Sequence, residues 1–328
     1  MSVTAWATAL DGTPGPVLRD CLQAAVTAPS IHNSQPWRFR LSDAGVDVLA
    51  DRERRLDVID PRGRELLISV GAAVLNLRVA MLAHGRQPVF RLFPSQEEPD
   101  LVARVVPGPP VHITETARAL ARAIPNRHTN RRPFAEVRIP DAVLAELSDA
   151  ARTEGTTLSL ADEAGRAAIL AVVRTAEHRW TARPRYWAEL AEWTLAATGR
   201  TDGVPPESFG PWSAAEAVPL RDFGLIQPVR RRRVLRFETT PTVAVLSTAG
   251  DGPTAWVRAG QALERVLLTA TVRGLANTPM TQPLEIEELR RLIVDSADGR
   301  VAQVILRLGY GQPCAGSPRR PLDEMLQR

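Results

Sequence analysis

Four hydrogen-bonding side chains, Ser30, His32, Asn33 and Gln35, fall inside the stretch Ala28-Pro29-Ser30-Ile31-His32-Asn33-Ser34-Gln35-Pro36-Trp37-Arg38-Phe39. Pro29 and Pro36 lack an N–H donor and restrict the residue before them, so the stretch is not a helix interior. It reads as a rigid loop that presents polar groups beside an aromatic-rich strand, a place where binding residues concentrate. A second polar cluster is Asn126-Arg127-His128-Thr129-Asn130-Arg131-Arg132-Pro133-Phe134, and a third is the tail Ser317-Pro318-Arg319-Arg320-Pro321-Leu322-Asp323-Glu324-Met325. The chain carries 41 basic and 37 acidic residues, net +4, and every basic residue is arginine. With no lysine there is no Schiff-base lysine and no P-loop lysine. Any anion held by a side-chain cation is held by arginine, whose planar fork suits phosphate. No general acid stands out; His32 is a candidate, though a histidine in a polar loop is more often a hydrogen-bonding spacer.

These clusters need elements to hold them. Pro16 opens a helix over 16–27, and Phe39 and Leu41 alternate with polar residues before Val46 and Val48, which suggests a hairpin. A helix follows from Arg64 to about Ala83, then strands at 89–93 and 101–106. Helices are expected at 114–124, 140–152, 163–180 and 185–197, a strand at 242–246, helices at 255–273 and 285–295, and a strand at 301–308. The Pro- and Gly-rich segment 199–241, with Arg230-Arg231-Arg232-Arg233, is long enough to be a functional flap or a disordered connection. Helices and strands mix with hairpin-like pairs, so the expected class is a layered α+β fold.

Bulk properties narrow the partners. A chain of 328 residues with 44% hydrophobic and 24% charged residues matches an ordinary globular protein. No apolar run is expected to reach the ~20 residues that span a bilayer, and the N-terminus lacks the pattern of a secretory signal. Cys21 and Cys314 have no metal or redox spacing, so no metal is expected and the cytoplasm is the default. The four-arginine run lacks interleaved aromatics and any reading motif, so nucleic acid is not an expected partner.

The loop at 28–39 resembles, nearly letter for letter, the APSxxNxQPW motif of the FMN-dependent nitroreductase family. The segment 126–134 resembles the family's R-[HS]-S-x-[RK]-x-F, with one extra residue before Phe134. The tail resembles its closing R-x-P-L-x-E-x-[VL]. Gly274-Leu275-Ala276-Asn277-Thr278-Pro279-Met280-Thr281-Gln282 is similar to the loop after the central helix, with Met280-Thr281-Gln282 replacing the usual Glu-Gly. The resemblance implies that Arg127, His128, Thr129, Arg131 and Arg319 hold the FMN phosphate and ribityl chain, with Arg320 less clearly assigned. It implies Ser30, His32, Asn33 and Gln35 at the ring edge, and Pro279 and Met280 over one face.

Gly71 to Gly85 and Gly260 to Gly274 are two apolar stretches of equal length, each bounded by glycines. Each resembles the central helix of a nitroreductase subunit. Over nearly its whole length, least over 135–241, the chain is similar to the Acg family of fused, nitroreductase-like proteins, in which two halves imitate the usual homodimer and share one flavin. The halves fall at 1–112 and 113–328, and the expected molecule is a monomer with a dimer-like interior that leaves further dimerisation open. Two functions follow from the resemblance. One is an NADPH- or NADH-dependent reductase of nitroaromatics, quinones or similar small aromatic molecules. The other is a flavin-binding or flavin-sequestering stress protein whose segment 199–241 covers the site.

Overall fold

The structure, a computed structural model, describes residues 6, 14–42, 45–194, 199–213, 218–224, 232–293 and 299–327. In chain order the helices are α1 (Pro16–Val26), α2 (Arg64–Ala83), α3 (Glu115–Ala123), α4 (Asp141–Thr153), α5 (Glu163–Thr181), α6 (Pro184–Thr194), α7 (Pro253–Val272) and the single turn α8 (Glu287–Arg290). The strands are β1 (Trp37–Ser42), β2 (Gly45–Ala50), β3 (Arg86–Leu92), β4 (Leu101–Pro110), β5 (Thr157–Leu160), β6 (Trp212–Ser213), β7 (Val234–Leu235), β8 (Thr242–Thr248), β9 (Ala276–Pro279), β10 (Val301–Gly309) and β11 (Leu326–Gln327).

Two sheets flank a helical middle. The first has the order β11-β1-β2-β4-β3 and the second β5-β8-β10-β9. Both are antiparallel except where β11 joins β1 in parallel, pairing Leu326 with Phe39. The tail therefore crosses back to the first sheet and is anchored beside the loop that precedes β1. The expected α+β class holds.

The helix expected from Arg64 to Ala83 has those bounds because its start is capped. The Asp60 carboxylate accepts from the Leu66 amide at 2.8 Å, and Gly63 takes the left-handed φ of 71° that the turn requires. In α7, Pro253 fixes the first turn and Gly274 (φ 70°) follows the end. The paired glycines lie inside these helices, one turn or more past the start. There α2 and α7 meet: a Cβ on Gly71 would overlap the Val257 carbonyl, and one on Gly260 the Ile68 carbonyl. Two backbones this close admit no side chain between them.

Several expectations need correction. By length and composition α2 is apolar enough to span a membrane, with a mean hydropathy of 2.0, contrary to the reading that no run approaches that length. Its apolar window is 83% buried within the protein, because α1, α7 and the first sheet pack around it. The helix expected at 285–295 is only the turn α8 between 3-10 turns at Gln282–Glu285 and Arg291–Ile293, and 294–298 lie outside the described residues. The helix expected at 185–197 is described to Thr194. Strands β5, β9 and β11 were not expected. The described parts of 199–241 are packed: Phe209, Phe223 and Phe237 are buried. Arg230 and Arg231 lie outside the described residues.

Candidate functional site

Ser30 to Gln35 form a tight turn in which His32 (φ 48°), Asn33 (φ 55°) and Gln35 (φ 51°) all adopt left-handed backbone. Such angles are unfavourable for residues with a side chain and persist only where the surroundings over-determine them. Here the surroundings come from four parts of the chain. The Ser30 hydroxyl accepts from the Gln35 amide at 2.9 Å. Ser69 on α2 accepts from the Ile31 amide at 3.1 Å. The Asn33 side-chain amide donates to the Gly203 and Pro318 carbonyls at 2.9 and 3.1 Å. Arg319 donates to the Asn33 Oδ1 at 2.9 Å. Residues almost three hundred positions apart thus meet at one turn.

The segment 127–131 is pinned from below. Asn130 donates its amide to the Asn277 carbonyl at 2.8 Å, and the Thr278 hydroxyl donates to the Asn130 carbonyl at 2.6 Å. This places Arg127, His128, Thr129 and Arg131 opposite the turn, with Arg319 arriving from the tail.

Two adjoining cavities result. The larger, about 760 Å³, is bordered by Pro29 to His32, Glu65, Ile68 and Ser69 of α2, Leu263 of α7, Leu220, Arg221 and Phe223, and Thr278 to Gln282 apart from Met280. The second, about 470 Å³, is bordered by the turn together with Arg127, His128, Arg319 and Ser317. Pro29, Ser30, His32, Thr129 and Arg131 line both, so they adjoin as one space with a mainly apolar end and a cationic end.

The cationic end is short of negative charge. Arg127 is buried and lies 3.2 Å from the buried Glu264 carboxylate of α7. Arg319 donates to the Thr27 and Ala28 carbonyls at 3.1 and 3.2 Å, and Arg131 to the Ser208 carbonyl at 2.9 Å. Carbonyls satisfy N–H groups but cancel no charge. Among the described residues Arg127 alone of the three guanidinium groups has a carboxylate in ion-pair range, through its Nε, and the Nε of Arg319 has no hydrogen-bond partner. Burial, then the neighbouring Arg127, lowers Arg319 to a pKa of about 9. Burial, then Arg221, lowers Arg131 to about 10. Burial raises Glu264 to about 7 despite Arg127. An anion with several acceptor oxygens relieves both arginines together. The site thus fits a ligand with a phosphate-like dianion at one end and a planar, largely apolar body at the other.

The histidines are held neutral. Burial, helped by Arg221 and Arg131, lowers His32 well below its usual pKa. Both His32 ring nitrogens are buried without partners, and its ring packs edge-to-face on Phe223 at 5.0 Å. His128 is lowered by burial and by Arg127 and Arg319.

Of the residues expected at a cofactor, Ser30, His32, Asn33, Arg127, His128, Thr129, Arg131, Pro279 and Arg319 border this space. Three do not. Gln35 spends its amide on the Thr201 carbonyl and accepts from the Arg320 amide, both at 2.8 Å. Arg320 turns to Glu324. Met280, expected over a ring face, is fully buried beside Leu170, Val173 and Leu284, because its amide extends the β9–β10 pairing. In each case the motif supplied the residue type but not its direction. Glu65, Arg221, Phe223 and Glu264 were missed. Glu264 had a signal, as the one acidic residue between Gly260 and Gly274.

No family model matches the chain. Its relatives are more informative. It is 33% identical over 316 residues, 94% of this chain and 95% of the relative, to a Mycobacterium tuberculosis protein named "Putative NAD(P)H nitroreductase acg". It is also 33% identical, over 320 residues, to "Putative NAD(P)H nitroreductase Rv3131" of the same organism, covering 94% of this chain and 91% of that one. Among solved structures it resembles the FMN-dependent nitroreductase NfnB of Mycobacterium smegmatis in complex with NADPH. That likeness has a TM-score of 0.40 and 16% identity, over 65% of this chain and 99% of that one. By its full-length relatives, the chain belongs to the Acg-like branch of the nitroreductase superfamily.

Proposed function

We propose that the chain is an FMN-binding flavoprotein and, in its active form, an NAD(P)H-dependent reductase of nitroaromatics or quinones. The observation that carries this is the charge shortage at Arg127, Arg131 and Arg319 next to a mainly apolar cavity. In this reading the arginines and Thr129 take the phosphate and ribityl oxygens, each charge-assisted hydrogen bond contributing about 1.5–3 kcal/mol. Ser69 and Ser30 fix the turn, Pro279 borders the ring, and neutral His32 offers one donor and one acceptor. Bound FMN supplies hydride chemistry that no protein side chain can. The protein orients it and excludes water.

The close crossing of α2 and α7 supports an origin as two fused halves, 1–112 and 113–328, that imitate a dimer. The unpaired Cys21 and Cys314 agree with a reducing compartment such as the cytoplasm. A second function, flavin sequestration under stress, is favoured by one specific feature. Leu220, Arg221 and Phe223, from the segment 199–241, border the cavity as a lid would.

An absorption spectrum of the purified protein, with mass identification of its ligand, tests the first claim; a colourless protein with no FMN overturns it. Stopped-flow mixing with NADPH, and then NADH, separates the functions. Rapid bleaching of the flavin overturns sequestration, and no bleaching within minutes overturns the reductase.

A further inference from the structure

A further cavity of about 950 Å³ lies on the other side of the Leu220–Arg221 wall and is assigned to no ligand by the reading above. One side is α5, through Arg174, Glu177 and His178. The other is the segment that follows α6, through Phe209, Trp212 and Phe237. Arg131, Leu220 and Arg221 border both this cavity and the one that accommodates a planar body. The two spaces are therefore neighbours.

Its chemistry differs from that of its neighbour. Three aromatic residues line it, and Trp212 is 42% exposed, a large apolar ring facing open space. Trp212 is held flat by Arg232, whose guanidinium lies 4.1 Å from the ring centre and pairs with both Asp222 oxygens at 2.6 Å. Arg221 is likewise paired, with Glu285. Arg174 pairs with no acidic group among the described residues, so it offers an uncommitted cation to the cavity. Glu177 lies on the α5 side with its carboxyl buried, and burial raises its pKa above the usual carboxyl value against the pull of Arg221.

We propose that this cavity is a binding site for a planar aromatic carboxylate. The ring lies against Trp212 and between Phe209 and Phe237, and the carboxylate meets Arg174. An aromatic face rewards any flat ring, whereas an unpaired arginine rewards only an anion. The combination therefore selects charged over neutral aromatics of the same shape. The site stands on its own side chains, and its existence does not depend on which cofactor fills the neighbouring cavity.

Titration calorimetry on the purified protein with 2-naphthoate and its uncharged amide, 2-naphthamide, tests this. The acid is expected to bind at least tenfold more tightly than the amide. Arg174→Gln should abolish that preference while leaving the amide unchanged, and Trp212→Ala should weaken both tenfold. Arg174 and Trp212 are both partly exposed, and the far-UV spectrum of each variant should match that of the parent. Equal affinity for acid and amide overturns the proposal, as does undiminished acid binding in Arg174→Gln. Loss of FMN from the purified protein with the preference intact would overturn the cofactor reading alone.

Discussion

Arg307 and Arg319 both sit out of bulk water and both make several hydrogen bonds, yet their charges are treated differently. Arg307 on β10 is fully buried, and its Nη2 donates to Glu238 at 2.7 Å. Thr278 and the Arg132 carbonyl take its remaining donors at 3.1 Å, and the Phe134 ring lies 3.6 Å away. Glu238 in turn accepts from the Phe134 amide at 2.9 Å. Arg319 has carbonyls, an amide oxygen, a repelling Arg127 and only the distant attraction of Glu264, with no ion pair among the described residues. A buried charge normally has a partner or costs several kcal/mol. A compensated arginine therefore marks a place where the fold is held, and an uncompensated cluster marks a place prepared for an anion.

The sharpest test of that contrast is the double variant Arg127→Ala with Arg319→Ala. Two charge-assisted bonds at about 1.5–3 kcal/mol each predict a loss of roughly 10²–10⁴-fold in FMN affinity. The protein should purify colourless, while the unfolding midpoint of the ligand-free form falls less than in Glu238→Ala, because Arg127→Ala leaves behind a Glu264 that burial already pushes toward its neutral form. A fully yellow double variant breaks the assignment. Glu238→Ala should behave in the opposite way. Removing one partner of a buried pair costs about 3–5 kcal/mol, read as a large drop in urea midpoint. If the ligand-free double variant loses as much stability as Glu238→Ala, the two clusters do not differ in kind.

This division of labour explains how far the sequence could be read. The span of α2 was legible because Gly63 and His84-Gly85 punctuate an apolar run, and the β1–β2 hairpin because side chains alternate over a short turn. The turn at 28–39 was legible because Pro29 and Pro36 exclude a helix interior, while its place at a site was implied by the resemblance of its motif. What failed depends on distant partners. β11 exists only because Leu326 meets Phe39, and no local pattern announces so short a strand. Gln35 and Met280 belong to site-like motifs but face backbone and core, a matter of direction that residue type does not encode. Phe223 and Arg221 reach the cavity by tertiary packing of an irregular segment, which has no periodicity to read.

Acidity provides a gentler probe. Glu264 titrates in the ligand-free fold at about 7, against 4.5 for the ordinary side chain, because burial outweighs Arg127. The folded state then holds a proton that the unfolded chain has released, so this contribution to stability is complete below about pH 4.5. It is lost as the pH rises through about 7. Glu264→Gln should flatten the fall in urea stability between pH 5 and 7.5 by an amount on the order of 1–3 kcal/mol. Glu65 and Asp60, raised to about 7 and 6 by burial, keep part of the slope in the variant. An unchanged slope would mean that Arg127 already holds Glu264 ionised, and the cationic end would then be less short of charge than its geometry implies.

The smallest effect belongs to Met280. If it faced a flavin, Met280→Leu would replace a polarisable sulfur against the ring and shift the absorption of the bound cofactor. Packed instead among Leu170, Val173, Val243 and Leu284, it is a volume filler in a core. A swap of similar volume there costs less than about 1.5 kcal/mol. The expected result is a small fall in urea midpoint with an unchanged visible spectrum and unchanged FMN affinity. A spectral shift without loss of stability would return Met280 to the cofactor and reverse the distinction between residues that hold this fold and residues that wait for a ligand.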